Sequence, residues 1–378
     1  MIDWPQLLSR NAAGLATPAL IIDLEAFENN IRKMADHCRA GHIALRPHAK
    51  THKSADVAKR QLAAGAIGQC CASLDEAEML AGAGISSILI TSPLVSESSI
   101  QRLMRLNATC PELLAVADSR DAVFRLSQAA TSADRVLRLL VDIDVGHHRT
   151  GIAPGEPACA LARLISDNPF LEFAGIQGYA GHLMHLPDRL SRQKQLAAAL
   201  GDLRNTRDRL AGMGLPPRII TGGGTGSFDI DPSEQILTEL QAGSYIFMDR
   251  QYNEVWAGES AAPFATSLFV FSTVVSANFP GIATTDAGLK AFSTDADPPL
   301  IVYGPGMAYS FFGDEYGRLT LAENGRAKTG DAVVCIVPHC DPTVNLYGSY
   351  IVVRGGEIVD RWPIASGKYR QPASGAHF

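Results

Sequence analysis

Lys50 closes the basic tip of the run Ile43-Ala44-Leu45-Arg46-Pro47-His48-Ala49-Lys50-Thr51-His52-Lys53, in which a short apolar segment turns abruptly polar. An amine attacks as a nucleophile only after losing its charge, and a packed strand end favours that loss by desolvation. A solvated loop lysine is the competing reading for any isolated lysine. A second group of interest is Thr221-Gly222-Gly223-Gly224-Thr225-Gly226-Ser227, where glycine lets the backbone approach an anion closely. Exposed N–H groups around Gly223 and Gly224, with the hydroxyl of Thr225 or Ser227, are candidate phosphate donors. A tight turn alone explains most glycine-rich loops. Gly243-Ser244-Tyr245 offers a further hydroxyl on Tyr245.

Arg149, in Asp142-Ile143-Asp144-Val145-Gly146-His147-His148-Arg149, suits a ring nitrogen or a substrate carboxylate. A structural ion pair with Asp142 or Asp144 is the alternative. Tyr179, His182 and His185 fall together in Gly178-Tyr179-Ala180-Gly181-His182-Leu183-Met184-His185. A tyrosine can hold phosphate or lie against a flat ring, and a histidine nearby can act as general base. Loop packing is the other reading for each. His339 and Asp341 flank Cys340 in Pro338-His339-Cys340-Asp341-Pro342-Thr343-Val344-Asn345. On an extended segment, residues two apart point the same way and the middle one points away. Imidazole plus carboxylate can then bind a divalent metal, although a polar turn before Pro342 accounts for the same residues.

These groups need elements to carry them. From about residue 25 to 255, apolar strands alternate with amphipathic helices. Glu25 to Ala40 reads as a helix with Phe27, Ile31 and Met34 on one face. The strand segments are Ala44–Lys50, Gly68–Ser73, Ser87–Ser92, Leu113–Asp118, Leu139–Val145, Phe173–Gly178, Arg218–Thr221 and Leu240–Phe247. That rhythm predicts an α/β chain whose residues 25–255 form a (β/α)8 TIM-type barrel, with an open doubly wound sheet as the alternative. Lys50 then ends the first strand, on the barrel face where chemistry occurs, and the glycine-rich turn follows the seventh, where barrel phosphate sites often form. A Schiff-base lysine and an anchored phosphate together suggest pyridoxal phosphate.

Residues 1–24 and 256–378 differ in kind and read together as an all-β domain carrying the metal pair. Thr17-Pro18-Ala19-Leu20-Ile21-Ile22-Asp23-Leu24 is a strand with no helix expected before it. Leu268–Val275, Leu300–Tyr303, Ala332–Val337 and Tyr350–Arg354 are β-rich segments among Gly, Pro and Asp clusters.

Bulk properties restrict the function. The 378-residue chain is 46% hydrophobic and carries a net charge of −6, which argues for a large core and against non-specific nucleic-acid binding. No signal-peptide pattern or membrane-spanning run is evident. Seven cysteines, Cys38, Cys70, Cys71, Cys110, Cys159, Cys335 and Cys340, include no CxxC pair, as expected of a reduced, cytoplasmic protein.

Taken together, Arg46-Pro47-His48-Ala49-Lys50, the Thr221–Ser227 turn, Leu240-Gln241-Ala242-Gly243-Ser244-Tyr245 and His339-Cys340-Asp341-Pro342-Thr343-Val344-Asn345 resemble the D-threonine aldolase and D-serine dehydratase family. The resemblance runs from Thr17-Pro18 to Val344-Asn345 and implies an alanine-racemase type of fold. It implies that Lys50 carries pyridoxal 5'-phosphate, that Arg149 lies near its ring and Tyr179 against it. It places a divalent metal on His339 and Asp341 beside the substrate. It also implies a homodimer whose active site joins one barrel to its partner's β-domain. The dehydratase branch is expected to show His-x-Cys, a soft site for zinc. His-x-Asp resembles the aldolase branch and favours Mn2+, with Co2+, Mg2+ or Zn2+ as other candidates.

The expected reaction is retro-aldol cleavage of a D-β-hydroxy-α-amino acid, with His185 or His182 as base and glycine plus an aldehyde as products. D-Threonine would give acetaldehyde, and 3-hydroxy-D-aspartate glyoxylate. Rival expectations are dehydration of D-serine or 3-hydroxyaspartate, a metal-independent racemase, and a non-catalytic pyridoxal-phosphate carrier.

Overall fold

The computed structural model describes residues 2–11, 15–258 and 262–365. The chain divides into two compact units that are interleaved in sequence. One comprises residues 34–50 and 57–243, the other 1–33, 51–56 and 244–378.

The first unit holds eight parallel strands: Ala44–Leu45, Gln69–Cys71, Ser87–Ile90, Glu112–Ala117, Leu137–Asp142, Leu171–Gly178, Ile219–Gly222 and Glu239–Leu240. Each pairs with its neighbour in chain order, and the eighth pairs with the first through Ala44↔Glu239 and Leu45↔Leu240. The first and second strands meet through the parallel bridge His48↔Cys70, with Ile67 N–H on Leu45 O and Cys70 N–H on Pro47 O. The sheet therefore closes on itself, as a barrel rather than an open doubly wound sheet. Cys70, Leu89, Leu114, Val116, Leu140 and Ala174 form one buried cluster, with Ile219 packed against it. Strands buried on both faces read as nearly continuous apolar runs, which is why they stand out in the sequence.

Side-chain caps start the intervening helices. Ser73, Ser96, Ser119 and Asp188 each accept the N–H three residues on, beginning Leu74–Gly82, Glu97–Thr109, Arg120–Ser132 and Arg189–Gly212. Beside Ser73, Glu76 Oε2 also accepts the N–H of Ala72, one residue before the cap, at 2.8 Å.

The second unit is mostly β. Its N-terminal strand Ala19–Asp23 runs antiparallel to Leu268–Ser276 and parallel to Ser349–Arg354, which pairs in turn with Glu357–Pro363. Ala332–Ile336 lies between Leu268–Ser276 and Leu300–Tyr303. Ile282–Thr285, Gly317–Leu321 and Gly306–Phe311 extend the sheet to its edge. Phe27, in the first half of the helix Leu24–Ala40, packs on Phe247 and Trp362 at centroid distances of 6.1 and 5.5 Å.

Several local expectations need correction. A helix, Trp4–Asn11, does precede the first strand. Ile2 and Leu7 join the buried cluster of Ile21, Phe271 and Val353, but two turns are too few for a clear sequence period. The first barrel strand stops at Leu45 and Lys50 lies in the 3-10 turn Ala49–Thr51. Likewise Ser244–Ile246 is a 3-10 turn beyond the eighth strand. Residues 340–344 form a single helical turn rather than an extended segment.

Candidate active site

In a parallel barrel every strand ends on the same rim. Lys50 follows the first strand, Arg149 the fifth, Tyr179 the sixth and the Gly223–Ser227 turn the seventh. The polypeptide thus gathers an amine, a guanidinium, a phenol and bare backbone on one side of the sheet.

Lys50 is half-buried, and its own N–H donates to His48 Nδ1 at 3.4 Å. The other His48 nitrogen, Nε2, lies 3.1 Å from Thr91 Oγ1, while that hydroxyl donates to Cys71 O at 3.2 Å. With its proton directed at Cys71, Thr91 Oγ1 receives one from His48. The His48 tautomer is thereby fixed, with Nδ1 left to accept from the lysine turn.

Polar side chains continue across the barrel mouth. Gln177 Nε2 donates to Asp142 Oδ1 at 2.8 Å and to Thr91 O at 3.1 Å. Gln241 Nε2 donates to Gln177 Oε1 and Thr221 Oγ1, and Thr150 Oγ1 donates to Asp142 Oδ2. Burial pushes the Asp142 carboxyl up to about 6, against the pull of the Gln177 and Thr150 hydrogen bonds. None of His48, Thr91, Asp142, Gln177 and Gln241 was singled out as a site residue from the sequence. Gln177 and Gln241 did carry a signal, as lone amides in or just beyond otherwise buried strands.

Arg149 is exposed and lies over the Tyr179 ring, 5.5 Å from its centroid. It forms no ion pair with Asp142 or Asp144. His148 occupies Asp144 instead, with Nδ1 2.6 Å from Oδ2. Burial opposes ionisation of Asp144, but hydrogen bonds from His148 and Gly146 hold its carboxyl below the usual range. His147 stacks on His182 with centroids 5.5 Å apart. Burial, then the Arg149 and His182 charges, keep His147 below the ordinary histidine value. Asp142, Asp144, His147, Arg149, Thr150, Gln177 and Tyr179 share one cleft. His182 and His185 are exposed at either end of the segment 182–185.

The glycine turn is tightly determined. Gly223 has φ +69°, and a Cβ there would lie 2.2 Å from Asp231 Oδ2. A Cβ on Gly224 would come within 2.8 Å of Met184 Sδ and 3.4 Å of the Tyr179 ring. The turn, Tyr179 and Arg149 are thus neighbours. Ser227 is unsuited to hold phosphate: it accepts from Gly224 N–H at 3.0 Å and donates to Asp231 Oδ2 at 2.6 Å. Thr225 is buried. Tyr245 belongs to the other compact unit, fully buried and tilted against Phe264.

These residues fit pyridoxal phosphate by their chemistry: an amine for its aldehyde, a flat phenol beside a guanidinium, and a glycine turn for its phosphate. In the β-rich unit, His339 precedes the turn Cys340–Val344 in extended conformation, and Asp341 lies in its first turn. Cys340 does not point wholly away, since its Sγ lies 3.5 Å from Asp341 Oδ1. Pro342 is compatible with this helix because its missing N–H falls in the first turn. Among the described residues no three His, Cys, Asp or Glu side chains converge as a metal cage. The donor chemistry of His339 with Asp341 still fits a divalent cation that keeps water or substrate on its other positions.

An eight-stranded parallel barrel with a lysine on the rim where its strands end, joined in one chain to a mostly antiparallel β unit, defines an alanine-racemase-like protein. Residues 22–251 match the alanine racemase N-terminal domain and residues 267–353 a putative serine dehydratase domain. A 3-hydroxy-D-aspartate aldolase of Paracoccus denitrificans (strain Pd 1222) is 35% identical, over 96% of this chain and 95% of its own. A D-threonine aldolase of Arthrobacter sp is 38% identical, over 94% and 93% respectively. The crystal structure of D-threonine aldolase from Filomicrobium marinum superimposes with a TM-score of 0.88 at 35% identity, covering 93% of this chain and 95% of that one. The chain belongs to the D-threonine aldolase and D-serine dehydratase family, on the alanine racemase fold.

Proposed function

We propose that the protein is an aldehyde-lyase dependent on pyridoxal phosphate and a divalent metal, cleaving D-β-hydroxy-α-amino acids of the D-threonine type to glycine and an aldehyde. The observation that carries the reading is the rim of the barrel, where Lys50, Arg149, Tyr179 and the glycine turn follow parallel strands. Two relatives matching nearly the whole chain are aldolases of such substrates by name.

Lys50 would supply the amine that anchors the cofactor. Arg149 and Tyr179 bind the ring, and the backbone of Gly223 and Thr225 holds the phosphate, the Gly224 N–H being taken by Ser227 Oγ. His339 and Asp341 hold the metal; a nitrogen and a carboxylate oxygen suit Mn2+, with Co2+, Mg2+ and Zn2+ as other occupants. His185 takes the β-hydroxyl proton, and His182 is the alternate. When bound, the cofactor supplies an electron sink for the Cα–Cβ bond and the metal lowers the pKa of the β-hydroxyl. The same reading carries a cytoplasmic homodimer acting on a small amino acid. No helix among the described residues is long and apolar enough to cross a membrane.

Cofactor-loaded protein incubated with D-threonine or 3-hydroxy-D-aspartate, with and without Mn2+, tests the proposal. Metal-dependent glycine with acetaldehyde or glyoxylate is expected. Ammonia with 2-oxobutyrate or oxaloacetate would instead make it a dehydratase, the activity suggested by the match over residues 267–353. Release of neither product set from either substrate would reject both.

A further inference from the structure

The turn bearing His339 and Asp341 is gripped from one neighbouring loop. Ser293 Oγ accepts from His339 N–H at 3.1 Å and donates to His339 O at 3.2 Å. Ser293 N–H donates to Thr343 Oγ1 at 3.0 Å, so the loop holds both ends of the turn. Two residues further along that loop, Asp295 Oδ2 lies 2.7 Å from His339 Nδ1. On the far side, Asp249 Oδ2 accepts from Cys340 N–H at 2.8 Å. The His339 backbone is thus fixed by Ser293, and its ring is fixed separately by Asp295.

Resting on the reading of His339 as a metal ligand, we propose that Asp295 is the positioning residue of the metal site. It orients the imidazole and directs Nε2 to the cation. The two nitrogens of a histidine are not equivalent, because a hydrogen bond at one determines which can coordinate. A carboxylate at Nδ1 holds the proton there, leaves Nε2 with its lone pair and raises the basicity of the ligand. With His339 and Asp341 as the protein donors of this reading, a ring free to rotate would weaken one of the two. The side chain of His339 is 21% exposed and that of Asp295 51% exposed, so Asp295 fits a support for the ring better than a core packing residue.

The test is Mn2+ titration of the cofactor-loaded full chain, followed by the EPR signal of free Mn2+ and by calorimetry. The variants are Asp295→Ala, Asp295→Asn, Asp295→Glu and His339→Ala. Loss of a supporting carboxylate weakens metal binding by about 10–100-fold. Asp295→Ala and Asp295→Asn are expected to show that loss without a change in melting temperature or cofactor absorbance, and Asp295→Glu to recover part of the affinity. His339→Ala should abolish specific binding. Wild-type affinity in Asp295→Ala alongside loss in His339→Ala would overturn the role of Asp295 and leave the metal ligand standing. Loss as complete in Asp295→Ala as in His339→Ala would make Asp295 a ligand and overturn the positioning role. Unchanged binding in His339→Ala would remove the metal reading itself, and this inference with it.

Discussion

Asp231 shows how closely a single side chain can govern the glycine turn. It lies buried beneath Gly223, accepts from Ser227 Oγ at 2.6 Å, and its Oδ1 has no hydrogen-bond partner among the described residues. Burial raises its carboxyl from 3.8 to about 7, with the Asp229 and Glu234 charges adding to the rise. The folded state therefore binds this proton more tightly than the unfolded chain, and stability falls as pH rises from about 4 to about 7. The penalty is fully present above that window and reaches about 4 kcal/mol at most. Asp231→Asn removes the charge and keeps the shape. Thermal melts should show a larger gain over wild type at pH 8 than at pH 5, and equal shifts at both would reject the assignment. Asp231 gave no sign of this role in the sequence, because a buried carboxyl beneath a turn has no local pattern. The placement of Lys50 and of the glycine turn after barrel strands was legible because each is set within its own strand–turn unit. The His48–Thr91 and Gln177–Asp142 contacts join residues more than thirty positions apart, and no local spacing encodes them.

Among elements, the joint between the first and eighth barrel strands is the most demanding. Arg46 Nε lies 3.0 Å from Glu239 Oε2, its Nη2 also 3.0 Å from that oxygen, and its Nη1 2.8 Å from Ser87 Oγ. Both charged side chains are buried. Gly68 makes room for the arginine: a Cβ there would sit 2.4 Å from Nη1. Removing one member leaves the other charged and desolvated, so Glu239→Ala should lower unfolding free energy by about 3–5 kcal/mol in a denaturant titration. Pairing it with Arg46→Met should recover much of the loss. A double variant no more stable than Glu239→Ala alone would count against an uncompensated charge as the cause. The barrel elements were legible because buried parallel strands are apolar throughout. Their ends were overextended where inward-facing polar groups such as His48 prolong the apparent strand. Gly306–Phe311 and Gly317–Leu321 escaped notice because they mix exposed and buried positions near a sheet edge, without regular alternation.

At the scale of the whole molecule, exposed apolar side chains collect in one stretch of the β-rich unit. Leu300 and Val302 face the same side of their strand, and Met307 and Phe312 follow at 70% and 50% exposure. A surface of this kind usually marks an interface. Light scattering of the full chain should give twice its 40.3 kDa, and Met307→Asp with Phe312→Asp should shift that mass to the monomer. An unshifted dimer would place the interface elsewhere. The interleaving of the units has another consequence, one for biosynthesis. Ala19–Asp23 is synthesised well before its two sheet partners, Leu268–Ser276 and Ser349–Arg354. At about 5–20 residues per second, a wait on the order of half a minute separates this strand from its second neighbour. Throughout that interval the apolar run of residues 19–22 lacks its sheet partners. Nascent chains stalled before Ser349–Arg354 are thus expected to crosslink to a chaperone that shields short hydrophobic strands, and chains extended past it are expected not to.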